Sequence, residues 1–388
     1  MYGIGRERLA AFVAETHGEP RDLRLEVRAL RGGLEAAGVT EVTARFSDAR
    51  GRPLSFGFVV KALKGAPVRE AAIYERLVSP LGAGIAPALL GITHEGPESC
   101  LLFLERVRPV RRWPWRNEEA AHRLLARLAQ LHATAPPDPA LEVLSSWDYE
   151  GELAERTRWA AETLEALPRE EDLLRLRRGL ASVRRVGEVL PELRRQLLAF
   201  DSLGTVAIHG DAHPGNVLVR SGERPVLLDW GRARLGSPLE DVSSWLQSLG
   251  YWEPAARRRH DTLLSAYLAA RGLPARAGRE LRDAYWLAGA SNTLAGALLV
   301  HLWTARDAPP GSRQRAAGVQ AAADALRIIR RADACWREAR APGGARSRRT
   351  TPAGPTRPPN PLRSGCSSPA GGVPNERGRS RAGSPRLG

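Results

Sequence analysis

The stretch TVAIHGDAHPGNVLVRSGERPVLLDW, residues 205–230, interrupts a long helical part of the chain with glycine, proline and two β-branched runs. Its central motif is HGDAHPGN at 209–216, and thirteen residues after Asn216 the apolar run VLLD ends at Asp229. Loops held by a rigid helical frame are where reactive side chains concentrate. We therefore predict the chemical centre of the protein in this stretch.

Three oxygen-bearing side chains of this stretch suit phosphoryl transfer. That reaction requires little covalent chemistry from a protein, so catalysis depends on positioning and on neutralising phosphate charge with metal ions. Magnesium prefers oxygen ligands and keeps several waters, so Asn216 and Asp229 are predicted metal ligands. A carboxylate opposite the metal can accept the proton of an attacking hydroxyl, and Asp211 is the predicted catalytic base.

The motif HGDAHPGN with the downstream pair Asp229-Trp230 resembles the catalytic loop and metal-binding aspartate of the aminoglycoside phosphotransferase and choline kinase superfamily. This resemblance implies an α+β, protein-kinase-like fold with a small antiparallel-sheet lobe and a larger helical lobe. It implies ATP and Mg²⁺ as cofactors, and transfer of the γ-phosphoryl group of ATP to a hydroxyl of a small molecule, aminoglycoside-like, sugar or amino alcohol. The alternative is a catalytically silent nucleotide-binding scaffold of the same fold, which the presence of Asp211 and Asp229 disfavours.

A lysine and a glutamate upstream complete the predicted phosphate site. Lys61 lies in the strand pattern SFGFVVKAL (55–63), and the helix pattern VREAAIYERLV (68–78) follows it. In kinase-like folds such a lysine reaches the α- and β-phosphates of ATP and pairs with a glutamate of the next helix. Glu70 is the predicted partner and Glu75 the alternative, because five residues of helix turn the side chain by about 140° and both cannot face the lysine.

Four further residues are assigned to nucleotide binding with less support from the sequence. Gly32 and Gly33, in RGGLEAAG (31–38), lie where the resembling fold covers the phosphates with a loop, although a plain hairpin turn needs the same glycines. Glu105 and Val107 follow the apolar run that ends the sheet-like part, where backbone groups would hold the adenine edge. Position alone supports the last two.

The hydrophobic pattern divides the chain into a nucleotide-binding lobe (1–105), a helical lobe with the catalytic loop and substrate pocket (106–340) and a disordered Arg-, Pro-, Gly- and Ser-rich tail (341–388). One helix is expected beside the sheet. The predicted strands of the sheet are 23–30, 39–46, 55–63 and a buried strand in 100–107 that runs into the connection between the lobes. The predicted helices of the second lobe are 117–133 and most of 149–200, 238–270, 277–304 and 313–339.

Composition limits the class of protein. Hydrophobic residues make up 43% and charged residues 26% of the chain, which is typical of a globular protein with a packed core. No apolar run is long enough for a membrane span or a signal peptide, so we expect a cytoplasmic protein without a membrane partner. The three cysteines are widely separated, so no metal site based on sulfur is expected.

The positive charge of the chain is concentrated in the tail. Residues 341–388 hold nine Arg and one Glu, which accounts for +8 of the formal +15 and leaves +7 for the rest. No basic block interleaved with aromatic residues marks a nucleic-acid groove, so nucleic-acid binding is not expected outside the tail. The expected partner is a small-molecule hydroxyl acceptor, and the oligomeric state stays open.

The acceptor class also stays open at this stage. A cationic acceptor would need a cluster of carboxylates, whereas aromatic residues could form the wall of a pocket for a sugar or a neutral alcohol. Asp241 is expected to anchor the catalytic loop, and His209 and His213 are expected to shape it by hydrogen bonding. His132 is expected to be a packed or capping residue at the end of its helix rather than a catalytic one. The candidate carboxylates are Glu150, Glu152, Glu155 and Glu162, and the candidate aromatic residues are Tyr285, Trp286 and Trp303.

Overall fold

The computed structural model describes residues 4–30, 37–82, 84–110, 112–199, 203–222, 224–274 and 278–340. Within these ranges the chain has the predicted α+β fold with two lobes, one built on a five-stranded antiparallel sheet and one helical. Two predicted site residues, Gly32 and Gly33, lie outside the described residues, as does the predicted tail.

The sheet consists of β1 (Arg21–Leu30), β2 (Gly38–Ser47), β3 (Pro53–Lys64), β4 (Leu89–Gly96) and β5 (Ser99–Glu105). Their order is β1-β2-β3-β5-β4, and all neighbouring strands are antiparallel. The four predicted strands, which correspond to β1, β2, β3 and β5, are confirmed to within two residues at each end. β4 was not predicted, because this edge strand is partly or fully exposed along its length and shows no clear apolar alternation.

Helix α1 (Arg6–His17) covers one face of the sheet, so the prediction of a single helix beside the sheet was wrong. Its buried residues are Leu9, Phe12 and Val13, and the ring of Phe12 stacks on that of Phe103 at a centroid distance of 3.9 Å. A helix with only three buried residues has too narrow an apolar stripe to be recognised beside its charged residues.

The other face of the sheet carries the helix that follows β3. It begins as α2 (Arg69–Ile73), continues through a π-helical turn (Tyr74–Val78) and ends as α3 (Ser79–Leu81). The predicted helix at 68–78 is confirmed. Its apolar residues share one continuous core with the helical lobe, and this core includes Leu77, Leu128 and Trp230. The helix is therefore packed between the two lobes.

Two short antiparallel strand pairs are set into the helical lobe and carry the predicted catalytic stretch. β6 (Val206–Ile208) pairs with β9 (Arg234–Gly236), and β7 (Val217–Arg220) pairs with β8 (Arg224–Leu227). None of the helices in the described ranges is long and apolar enough to span a membrane. The helices of this lobe are α4 (Glu118–Ala133), α5 (Asp138–Ser145), α6 (Tyr149–Ala166), α7 (Glu171–Arg177), α8 (Leu180–Leu198), α9 (Pro238–Trp252), α10 (His260–Ala270), α11 (Arg279–Asn292), α12 (Leu298–Asp307) and α13 (Arg313–Arg340).

Candidate active site

The strand pairs β6–β9 and β7–β8 bring the loop 209–216 beside the turn that follows β8. The backbone N–H of Leu228 donates to the carbonyl of Asn216 at 2.7 Å, and His209 Nε2 lies 2.8 Å from the carbonyl oxygen of Leu228. Since Leu228 precedes Asp229, these contacts place the two predicted metal ligands on neighbouring backbone segments.

A buried carboxylate holds the start of this loop. Asp241, near the start of α9, accepts hydrogen bonds from the backbone N–H of His209 at 2.7 Å and of Gly210 at 2.8 Å. His132 of α4 lies 3.1 Å from the same carboxylate. Burial alone would raise the pKa of Asp241, but hydrogen bonding to His132 and to the loop holds this pKa below its usual value. These contacts agree with the anchoring role expected for Asp241, and the contact of the buried His132 with this carboxylate was not foreseen.

Gly210 occupies a position that excludes other residues. Its φ is +80°, and a Cβ atom there would lie 2.1 Å from the carbonyl oxygen of Arg232. The left-handed backbone and the close approach of the 229–233 turn both require glycine. The glycine before Asp211 is therefore fixed by backbone packing.

We expect Gly210→Ala to lower the free energy of unfolding by more than the roughly 1–3 kcal/mol of backbone strain alone, because the turn must also move. Gly222→Ala is the matched control, since Gly222 has φ +76° but no atom within 4 Å of its Cβ position. Urea unfolding of both variants separates the two effects. An equal loss of stability in both would contradict a close approach at Gly210.

Asp211 and Asn216 are joined through their side chains. Asn216 Nδ2 donates to Asp211 Oδ2 at 2.8 Å and to the Asp211 carbonyl at 3.1 Å, which leaves the amide oxygen of Asn216 free for another ligand. Burial would raise the pKa of Asp211, but His213 at 3.6 Å and Arg232 outweigh it and lower that pKa. Asp211 is therefore ionised at neutral pH.

The predicted lysine–glutamate pair is formed, and it reaches the turn after β8. Lys61 Nζ donates to Glu70 Oε1 at 2.7 Å and to Asp229 Oδ1 at 3.1 Å. Burial opposes the charge of the lysine, but the carboxylates of Glu70 and Asp229 raise the pKa of Lys61 above its usual value. Glu75, the alternative partner, is exposed to solvent. The structure thus brings one residue of β3, one of α2 and one of the catalytic stretch together.

Asp229 has an unusual backbone conformation. Its φ of 60° and ψ of 71° lie in the left-handed region, which is costly for residues other than glycine and recurs at functional sites. The next residue, Trp230, is fully buried, and its backbone N–H donates to Glu70 Oε1 at 3.2 Å. Packing between the lobes holds the strained residue in place.

A cavity of about 720 Å³ opens between the five-stranded sheet and the segment 215–229. Lys61, Asn216 and Asp229 line its polar part, and Glu105 and Val107 also line it, whereas Asp211 is not among the lining residues. Its apolar walls come from both lobes and include Leu30, Val39, Val59, Pro87, Leu104, Leu218 and Leu228.

The side chain of Glu105 has a contact that the sequence analysis did not foresee. Both carboxylate oxygens accept from Arg220 of β7, at 2.9 and 2.7 Å, and one accepts from the backbone N–H of Ala88. Next to this pair the backbone N–H of Val110 donates to the carbonyl of Val219 at 2.8 Å. The connection between the lobes is therefore held by an ion pair between residues 115 positions apart, which no local pattern could indicate.

The model of the phosphotransferase enzyme family matches residues 68–285, more than half of the chain. The chain belongs to this family. The matched region contains the catalytic stretch with Asp229, and it contains Glu70. Of the three residues joined by ion pairs, only Lys61 precedes the matched region. Small-molecule phosphotransferase is therefore the class of enzyme that the family supports.

Solved structures show that this phosphotransferase shares its fold with aminoglycoside and choline kinases, as predicted. A candidate aminoglycoside phosphotransferase from Ralstonia eutropha JMP134 is 16% identical with a TM-score of 0.56, covering 85% of this chain and 98% of its own. A spectinomycin phosphotransferase in complex with ADP and spectinomycin is 14% identical with a TM-score of 0.55, covering 85% and 98%. A choline/ethanolamine kinase family protein from Mesorhizobium loti is 17% identical with a TM-score of 0.52, covering 86% and 99%. No curated protein sequence matches the chain.

Proposed function

We propose that the protein uses ATP with Mg²⁺ to phosphorylate a hydroxyl group of a small molecule. The observation that carries this proposal is the contact of Lys61 Nζ with both Glu70 and Asp229 at the polar part of a cavity that Asn216 also lines. A lysine cation and two oxygen donors at one end of a largely apolar cavity are what a nucleoside triphosphate with its metal requires.

The cavity suits a nucleotide in size and polarity. Its volume of about 720 Å³ lies within the range of small-molecule sites. Val59, Leu104 and Leu218 offer apolar surfaces for a base, and Glu105 and Val107 line the same cavity. Lys61 is then the natural contact of the phosphates, because its ammonium group is charged at neutral pH.

The protein groups present fit magnesium. The described residues contain no group of three or more His, Cys, Asp or Glu side chains that could hold a metal ion, which argues against a zinc-type site in that part of the chain. The amide oxygen of Asn216 and the carboxylate of Asp229 are two oxygen ligands, and phosphate oxygens and waters would supply the rest. When bound, the metal neutralises the negative charge of the phosphates.

Asp211 is the proposed catalytic base. Its carboxylate is ionised at neutral pH because His213 and Arg232 lower its pKa, so it can accept a hydrogen bond from the acceptor hydroxyl. A carboxylate of low pKa takes the proton only as the new bond to phosphorus forms, when the hydroxyl has become acidic. The hydrogen bond from Asn216 fixes the carboxylate beside the metal position.

The carboxylates considered for a cationic acceptor are largely paired with arginine. Glu150 pairs with Arg194, and Glu152 pairs with Arg156 at 2.6 Å and with Arg232 at 3.2 Å. Glu155 and Glu162 are exposed, and Tyr285 is fully buried.

Instead, guanidinium groups surround the aromatic side chain that precedes α6. The groups of Arg69, Arg232 and Arg234 lie 5.5, 4.7 and 5.7 Å from the ring centroid of Trp147. Arg232 is also one of the charges that lower the pKa of Asp211. Arg232 pairs with Glu152 and the buried Arg234 pairs with Glu240, whereas no carboxylate of the described residues forms an ion pair with Arg69. Because the carboxylates near the proposed base are already bound by arginine, we propose an acceptor that is neutral or negatively charged near its reacting hydroxyl.

This proposal predicts the order of acceptors in an assay of ATP consumption. Neutral and acidic sugars or alcohols should stimulate consumption with a kcat/KM on the order of a hundredfold above that of polycationic aminoglycosides, because placing like charges together costs several kcal/mol. Stimulation by aminoglycosides alone would contradict the charge argument but not the phosphotransferase function. Tight ATP binding without stimulation by any acceptor class would favour the silent scaffold.

A further inference from the structure

Arg69, the first residue of α2, connects the helix of the sheet lobe to two elements of the helical lobe. Its Nη1 donates to the carbonyl of Gly231 at 3.0 Å. Its Nη2 donates to the carbonyls of Ala233 at 2.7 Å and Val143 at 2.8 Å. Gly231 and Ala233 belong to the turn that begins at Asp229, and Val143 lies in α5. None of the roles proposed above uses these contacts.

The charge of Arg69 is held by carbonyl oxygens. Within the described ranges no carboxylate forms an ion pair with it, and burial together with the charge of Arg234 lowers the pKa of Arg69 to about 10. The guanidinium remains charged at neutral pH and makes three charge-assisted hydrogen bonds, which are stronger than neutral ones. Both Nη groups are directed at backbone carbonyls, so this side chain fixes the geometry of the segments it binds rather than forming a surface ion pair.

Arg69 binds carbonyl groups, and Glu70 binds an N–H group, of the same turn. Glu70 accepts from the backbone N–H of Trp230, and Arg69 donates to the carbonyls of Gly231 and Ala233. The turn starts with the left-handed backbone of Asp229, a conformation that persists only where the surroundings hold it. The first turn of α2 supplies those surroundings.

We propose that Arg69 is a positioning residue that fixes the 229–233 turn and so keeps the carboxylate of Asp229 directed at Lys61 and the cavity before a nucleotide binds. The inference rests on the proposed function, because it assumes that Asp229 is a metal ligand. Arg69 does not line the cavity. It acts through Asp229, so its removal affects the part of nucleotide binding that depends on the metal.

The test measures ADP binding by calorimetry with and without MgCl₂. Arg69→Met keeps an unbranched apolar stem and removes the donors. The gain in ADP affinity due to Mg²⁺ should then fall by about tenfold to a hundredfold, corresponding to one or two lost charge-assisted hydrogen bonds. Affinity without metal should stay within about twofold, since Lys61 and the apolar walls are unchanged. Arg76→Met is the matched control, because Arg76 lies on the same helical segment and pairs with Glu142 of α5 at the surface.

If Arg69 had a purely structural role, Arg69→Met would lower the melting temperature, but Mg²⁺ would still raise the ADP affinity of the folded protein by the same factor. That result would overturn the proposal. In an Asp229→Asn background, adding Arg69→Met should cause no further loss of the Mg²⁺ effect. If Arg69→Met does not fold, Arg69→Lys, which retains the charge but fewer directed donors, should show a smaller loss of the same kind. Absence of any Mg²⁺ effect in the unmodified protein would instead refute the proposed metal site.

Discussion

Asp211→Asn is expected to lower the rate of phosphoryl transfer by about 10²–10⁴-fold, the range that a positioned general base contributes. Asparagine keeps the size of the side chain and can still contact Asn216, but it cannot accept a proton from the acceptor hydroxyl. Nucleotide binding should be nearly unchanged, because Asp211 does not line the cavity. Stimulated ATP consumption measures the first quantity and ADP calorimetry the second.

Asp261→Asn controls for the loss of a negative charge in the same lobe, since the side chain of Asp261 is 88% exposed and its ion pair is with His260 at the surface. This variant should keep its activity. If Asp211→Asn retained near-full turnover, another group would have to accept the proton. If it lost ADP binding as well, the side chain would have a structural role in the cavity instead.

The parts of the site that could be predicted from sequence are those that a short segment specifies. Asp211 and Asn216 are five residues apart in one loop, so their contact depends on local backbone geometry. Helix phase allows only one of Glu70 and Glu75 to turn toward β3, and the place of Glu70 directly before the apolar run at 71–74 favours it as the partner of Lys61. In each case a single element determines the direction of the side chain.

The contacts that sequence analysis missed join elements that are far apart in the chain. Arg69 reaches carbonyls more than 160 residues away, and Glu105 pairs with Arg220 across the lobe connection. Such contacts depend on how whole helices and hairpins pack, and an arginine looks the same in sequence whether it binds solvent or a buried carbonyl. The elements α1 and β4 were missed for a related reason, because their few buried residues give no clear period.

Asp229→Asn is expected to remove most of the Mg²⁺-dependent part of nucleotide affinity and to abolish transfer. Asparagine is the informative substitution, because it tolerates the left-handed backbone that Asp229 adopts, whereas alanine would add strain. Stability should be unchanged or slightly higher, since Lys61 now serves two carboxylates and would keep its closer contact with Glu70. A melting curve checks this.

The matched control for that variant is Glu70→Gln, which removes the other carboxylate that contacts Lys61. Glu70 is almost fully buried, so replacing its carboxylate should lower stability by roughly 1.5–3 kcal/mol, the contribution of a hydrogen bond to a charged group. Lys61 would still contact Asp229, so the dependence of ADP binding on Mg²⁺ should persist in the folded protein. If Asp229→Asn loses the effect of Mg²⁺ on ADP affinity and Glu70→Gln loses stability but keeps that effect, Asp229 binds the metal. An unchanged Mg²⁺ effect in Asp229→Asn would reduce Asp229 to a structural partner of Lys61.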